Sequence, residues 1–148
     1  MRVYLDNCMF NRPFDDQSHI RIRLEAEAKL YIQQQIRERR VELLWSYILE
    51  FENAQNPYQE RQHAIHSWKA LAIADIEETP SLLDTARSLL AQGIKTKDAL
   101  HVACAVEGHA DYFLSTDDKL LKKLQTIKVI SALNPMDYIK ELPDETTH

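Results

Sequence analysis

The stretch "DYFLSTDDKLLKKLQ", residues 111–125, contains a complete strand–turn–helix unit. "DYFLS" is short, aromatic and aliphatic, which suits a buried strand, and "DDKLLKKLQ" has the spacing of an amphipathic helix. Two carboxylates, Asp117 and Asp118, stand where one element hands over to the other, just behind Thr116. The N-terminus has the same grammar: "RVYL", residues 2–5, is a β-prone run that stops on Asp6 and the polar Asn7. A strand that ends on an acid therefore occurs near each end of the chain.

The segments between extend the pattern. After a turn through Pro13 and "DDQS", residues 19–40 place Ile20, Leu24, Ala28, Tyr31 and Ile32 at helical spacing, predicting a long amphipathic helix, whole or broken in two. Residues 41–46 predict a second strand and 47–55 a helix. "YQERQHAIHSWKALAIA" is helical in period, and "IADIEET" holds a short third strand. A helix over about 80–91 has Pro80 in its first turn and Gly93 as its stop. Another over about 97–107 ends at Gly108, and "IKVIS", 127–131, is the last strand. Alternating strands and helices predict an α/β fold: a mainly parallel sheet of four or five strands with helices on both faces.

Composition narrows the class. A chain of 148 residues with 45% apolar content suits one compact domain over 1–148, with a core over about 1–131 and a flexible tail over about 140–148. Two glycines and five prolines fit neither low-complexity nor collagen-like sequence. No apolar run approaches the ~18–20 residues that span a bilayer, and the N-terminus lacks a secretory signal, so a cytoplasmic protein with no membrane partner is expected. Cys8 and Cys104 are too few and too isolated for a disulfide framework or a thiolate metal site, and both read as small buried apolar groups. The net charge of −5 argues against nonspecific coating of nucleic acid but leaves nucleic acid open as a substrate. The basic clusters "RIRLE", "RERR" and "KLLKK" read as solvated helix faces.

Open parallel sheets place their functional crevice beyond the carboxyl ends of the strands. Asp6 and the Asp117–Asp118 pair belong to that edge. Asp98 lies in "TKDAL", with Thr96 as N-cap and the acid in the first turn, and "TDDKL" repeats the arrangement with Thr116 as cap. The same pattern is ordinary helix-start chemistry, stabilising by about 1 kcal/mol for the cap and a few tenths for the acid. "SYILEFE" offers Glu50 and Glu52, of which at most one can face the crevice, because residues two apart on a helix diverge.

Together these pieces resemble the PIN domain family, the nuclease fold that includes the VapC-type toxins of bacterial toxin–antitoxin pairs. "YLDNCMFNRP" is similar to the family's first-strand Asp motif, "SYILEFE" to its Ser-x5-Glu element, "KDALHVACA" to its helix-borne Asp motif and "DYFLSTDDKLL" to its final Thr-x-Asp motif, in the family's order. The resemblance spans residues 3 to about 121 and implies a three-layer α/β/α PIN-like domain. It implies Asp6, Glu52, Asp98 and Asp118 as an acidic metal-binding and catalytic cluster, Glu52 over Glu50 because it stands six positions after Ser46. Thr116 corresponds to the hydroxyl beside the site and Asn7 to the polar residue after the first acid. Asp117 departs from the pattern, since such proteins often carry a non-acidic residue there, and it competes with Asp118 for the role. The resemblance further implies RNA as substrate, a homodimer and, for a toxin, a cognate antitoxin partner.

Clustered carboxylates repel one another and call for a cation. Oxygen ligands with no His or Cys nearby select Mg²⁺ or Mn²⁺, and a divalent ion that activates water would support phosphodiester hydrolysis. The expected function is a Mg²⁺- or Mn²⁺-dependent endoribonuclease, the toxin of a type II pair being one version of it. The alternative is a catalytically silent PIN-like module that binds RNA or protein. His101, one turn after Asp98, reads as a packed helix residue before it reads as a general acid, and Trp45 and Trp68 read as core before base-stacking groups. Arg12 is placed either to touch a phosphate or to anchor its loop. A haloacid-dehalogenase-type phosphatase needs an acid two residues after Asp6, where Cys8 stands, and a response-regulator receiver needs a different acid layout.

Overall fold

In the computed structural model, which describes residues 1–11, 15 and 18–142, five short strands form one sheet. They are β1 (Arg2–Leu5), β2 (Glu42–Ser46), β3 (Ala74–Ile76), β4 (Tyr112–Leu114) and β5 (Ser131–Leu133), in the order β3-β2-β1-β4-β5. Every pairing is parallel. Strand order runs outward from β1 to β3 and then reverses, so right-handed crossovers put helices on both faces. The reversal lies beside β1, where such sheets open their crevice.

The connecting helices are α1 (Asn7–Asn11), α2 (Ile20–Arg37), α3 (Tyr47–Ala54), α4 (Gln59–His66), α5 (Pro80–Ala91), α6 (Thr96–Glu107), α7 (Asp118–Ile127) and α8 (Pro135–Tyr138). Short 3₁₀ turns follow α4 and α8. Arg12, the Pro13 turn and the tail beyond residue 142 lie outside the described residues. Among the described residues no helix is long and apolar enough to cross a membrane.

Several elements depart from the sequence reading. α1 begins directly after Asp6, where a turn was expected. The last strand is 131–133 rather than 127–131, because α7 continues to Ile127 and ends on Lys128 in the left-handed conformation, φ 59°. Thr96 is the first residue of α6 rather than its cap, and Lys95 at the cap position makes no side-chain bond. α7 is capped by Asp117 instead of Thr116: its carboxylate accepts the Lys119 and Leu120 N–H groups at 3.1 and 3.2 Å. A carboxylate caps at least as well as a threonine hydroxyl and adds favourable charge at the helix N-terminus.

The core joins Val3, Tyr4 and Leu5 of β1 to Leu43, Leu44 and Trp45 of β2 and Phe113 and Leu114 of β4, with α3, α5, α6 and α7 packed around them. Trp45 and Trp68 both lie in this core. α2 is unbroken, but its buried face is not the one its apolar spacing suggests. Ile20, Leu24 and Tyr31 are exposed, whereas Glu25, Ala28, Lys29, Ile32 and Ile36 are buried. The buried polar members have partners: Glu25 accepts from Asn134 Nδ2 at 2.6 Å and Arg21 Nε at 3.3 Å. Lys29 lies 5.2 Å from the centres of the Phe10 and Trp68 rings, and the Gln33 carbonyl faces both Lys29 Nζ and Trp68 Nε1.

Burial, and secondarily the charge of Arg37, lowers Lys29 from 10.5 to about 7. The unfolded chain binds this proton more readily than the fold, so stability falls as pH drops from about 10.5 to about 7 and is then unchanged by this group. The full difference is worth about 5 kcal/mol, part of which the two ring faces offset. Lys29→Met is expected to raise unfolding stability at pH 7 by about 1–3 kcal/mol. The gain should shrink steadily in denaturant titrations repeated up to pH 9.

Candidate active site

The carboxyl ends of β1 and β4 bring Asp6 and Ser115 side by side. Asp6 N–H continues the ladder to Leu114 O at 2.9 Å, and the Ser115 hydroxyl donates to Asp6 Oδ2 at 2.9 Å. Asn7 N–H donates to Asp6 Oδ1 at 2.8 Å. The Cys8 thiol, 3.5 Å from Oδ2, completes the donors around this buried carboxylate. Ser115 Oγ also accepts Asp117 N–H at 3.0 Å, which fixes the start of α7 against Asp6.

Glu52, on α3, and His101, on α6, meet across the same edge. His101 is buried, with Nε2 at 2.5 Å from Glu52 Oε1 and 3.9 Å from Asp6 Oδ1. Its Nδ1 lies 2.6 Å from the Tyr4 hydroxyl, which lies 2.6 Å from Ser46 Oγ, which accepts Leu49 N–H at 3.1 Å. Burial pushes the Glu52 carboxyl up. The His101 hydrogen bond and charge, Lys97 and an Asn7 side-chain bond outweigh it and leave Glu52 below its ordinary value. Glu50 faces elsewhere, bonded to Trp45 Nε1 at 3.0 Å and to His66 Nε2 at 3.2 Å.

Asp98, in the first turn of α6, is raised above its ordinary value, first by burial and then by the negative charges of Asp6 and Asp117, with Glu52 adding and His101 opposing. Asp98 and Asp117 line one small pocket of about 70 Å³ together with Lys95, Lys119 and Lys123. Four acids thus act on one another at this edge: Asp6, Glu52, Asp98 and Asp117. Asp118 is not among them. It is exposed and forms a two-pronged ion pair with Arg21, at 2.7 and 2.6 Å, which holds its carboxyl below the ordinary range. Adjacent residues at a helix start diverge, and using Asp117 as the cap turns Asp118 outward.

Thr116 is buried beside Cys8, to whose sulfur it donates its N–H at 3.4 Å. Ser115 holds Asp6. Ser115, His101, Tyr4 and Ser46 are the polar residues of the site that the sequence motifs did not assign. Ser46 alone had a signal, as the first residue of the Ser-x5-Glu element.

Histidine and cysteine, expected to be remote, are both here. Neither alters the donor set. Both His101 nitrogens are engaged, and the Cys8 thiol is pushed up to about 12 by burial and the neighbouring Asp6, so it is not a thiolate. The available ligands remain carboxylate oxygens, which fit a hard divalent cation. Among the described residues no three His, Cys, Asp or Glu side chains close on one point as a metal-binding group.

Because the pKa of Asp98 is higher in the fold than in the unfolded chain, its contribution to stability is complete below about 3.8 and is lost as pH rises through the folded value. Asp98→Asn, measured in EDTA, should therefore melt higher than the parent at pH 7. The difference should vanish below pH 4 in the same thermal scans.

No protein-family model matches the chain, and no curated protein sequence matches it. Solved structures do. FitAcB from Neisseria gonorrhoeae aligns with a TM-score of 0.61 at 13% identity, over 90% of this chain and 97% of the other. VapBC-1 from nontypeable Haemophilus influenzae aligns with a TM-score of 0.55 at 17% identity, over 91% and 98%. At these identities the likeness is one of fold, carried by the five-stranded all-parallel sheet and its flanking helices. The fold of this chain is the one it shares with these two structures, an α/β fold built on a five-stranded all-parallel sheet.

Proposed function

We propose that the protein is a metal-dependent endoribonuclease and the toxin member of a toxin–antitoxin pair. The observation that carries this reading is the convergence of acids from four separate parts of the chain: Asp98, raised above its ordinary value first by burial, also feels the negative charges of Asp6, Asp117 and Glu52. Such an arrangement is unfavourable for the fold alone and is relieved by a divalent cation. The fold shared with VapBC-1 supports the toxin assignment, and an antitoxin partner and a homodimeric assembly belong to the same proposal.

Asp6, Glu52 and Asp98 are the proposed ligands of Mg²⁺ or Mn²⁺, with Asp117 as the fourth acid in preference to Asp118. A bound ion would supply activated water and charge neutralisation at the scissile phosphate. The chain's own groups divide the remaining work. Ser115 and Asn7 orient Asp6, and the Ser115 hydroxyl ties the start of α7 to it. Lys95, Lys97 and Lys119 ring the acids, and their ammonium groups are suited to the flanking phosphates of a single strand. Thr116 supports the site through Cys8.

Incubation of the antitoxin-free protein with labelled RNA tests the reading. Cleavage should require Mg²⁺ or Mn²⁺, stop with EDTA, and be lost in Asp6→Asn; no cleavage, or only cleavage that Asp6→Asn leaves unchanged and so does not come from this site, would favour a binding module.

Asp117→Asn and Asp118→Asn separate the two neighbouring acids. Asn keeps the α7 cap, so Asp117→Asn should melt close to the parent while cleavage falls by about 10-fold to 100-fold. Asp118→Asn removes only an exposed ion pair, worth no more than about 1 kcal/mol, and should cleave at the parental rate.

A further inference from the structure

We infer that His101 is a positioning residue for Glu52, held in place by the Tyr4 and Ser46 hydroxyls, and that it fixes which oxygen Glu52 presents to a cation. This inference rests on the nuclease reading above. His101 is 1% exposed, and each ring nitrogen already has a partner: Nε2 with Glu52 Oε1 at 2.5 Å, Nδ1 with Tyr4 OH at 2.6 Å. Neither nitrogen is left to reach a leaving group, so the imidazole acts through Glu52 and not on substrate.

The chain of hydroxyls determines the direction of that hydrogen bond. An ionised Glu52 can only accept, so Nε2 must carry the proton. With a neutral ring, Nδ1 accepts from the Tyr4 phenol, and the phenol oxygen accepts from Ser46, whose oxygen in turn receives Leu49 N–H. With a protonated ring, Nδ1–H donates to the phenol oxygen and the Tyr4 proton turns to Ser46. Either order leaves Nε2–H on Oε1, so the orientation of Glu52 does not depend on the charge of the ring. Tyr4 is itself fixed, stacked on Phe113 with ring centres 5.7 Å apart and planes within 10°. With His101 on Oε1, and the Asn7 side chain also bonded to this carboxylate, Oε2 is the oxygen that would meet a cation. Partners of this kind behind a metal ligand are worth about 10-fold to 100-fold in metal affinity or activity.

Tyr4→Phe, His101→Gln and His101→Ala test the assignment in the full chain. Phe keeps the ring stack and removes only the hydroxyl, whereas Gln keeps an N–H donor for Glu52. In the metal-free parent, ¹⁵N-edited NMR of labelled histidine should show one strongly downfield imidazole N–H that disappears in Glu52→Gln. Mn²⁺ titration followed by electron paramagnetic resonance should show weaker binding in Tyr4→Phe and His101→Ala, by about 10-fold or more for His101→Ala. In cleavage assays kcat should fall with KM for RNA unchanged, and His101→Gln should recover part of both losses.

Parental Mn²⁺ affinity and kcat in folded Tyr4→Phe and His101→Ala would overturn the assignment. So would a parent that cleaves RNA but has no downfield proton, or one that Glu52→Gln leaves in place. A parent that shows the proton yet neither binds Mn²⁺ nor cuts RNA would sink the nuclease reading, and the role of Glu52 with it.

Discussion

Parallel registration of β1 on β4 is the constraint on which the site depends. Leu5 pairs with Leu114, so the residues that follow, Asp6 and Ser115, leave the sheet together at its carboxyl edge. Residues 109 apart in the chain then share a 2.9 Å hydrogen bond. β2 ends at the same edge on Ser46, which both caps α3 and meets Tyr4. The helices that start here, α3, α6 and α7, direct their N-terminal N–H groups toward the region where the acids collect. Helix N-termini favour negative charge, so one geometry supplies the acids and part of what makes them tolerable.

Much of this was legible in the sequence, because it depends on local signals. A strand stopping on an acid, a proline in a first turn and a glycine past a helix end each have a local physical cause, and β1, β2, β3, α3 and α5 lie within a residue or two of their expected positions. Spacing left Glu50 and Glu52 open, and it was the family resemblance that singled out Glu52 and Asp98. The buried face of α2 was not legible. Apolar periodicity points to Ile20, Leu24 and Tyr31, but Glu25 and Lys29 go inside because Asn134, Gln33 and two aromatic faces, all distant in sequence or dependent on the fold, receive them. Burying a polar group is costly only when it lacks partners, and those partners are invisible to a local reading.

The Asp117–Asp118 pair illustrates the same limit on the scale of one residue. Both acids stand at a helix start, and sequence cannot say which one becomes the cap. Once Asp117 takes the Lys119 and Leu120 N–H groups, Asp118 is rotated toward Arg21 on α2, a helix nearly a hundred residues earlier. His101 was harder still. A histidine one turn after an acid is commonplace, and its significance comes only from Tyr4 and Glu52 arriving from β1 and α3 to engage both nitrogens.

Asp98 and Asp118 are the same chemical group, each in the first turn of its helix, and their acidities move in opposite directions. Helix position therefore does not decide the sign. Asp118 has a guanidinium in direct contact and solvent around it, whereas Asp98 is half-buried among three other carboxylates with lysines only at its border. The fold neutralises the peripheral acid and leaves the central one uncompensated, although an arginine beside Asp98 would have stabilised the metal-free protein. Under the proposed nuclease function, a divalent cation at the centre and phosphates at the lysine rim would supply the compensation that the fold withholds from Asp98.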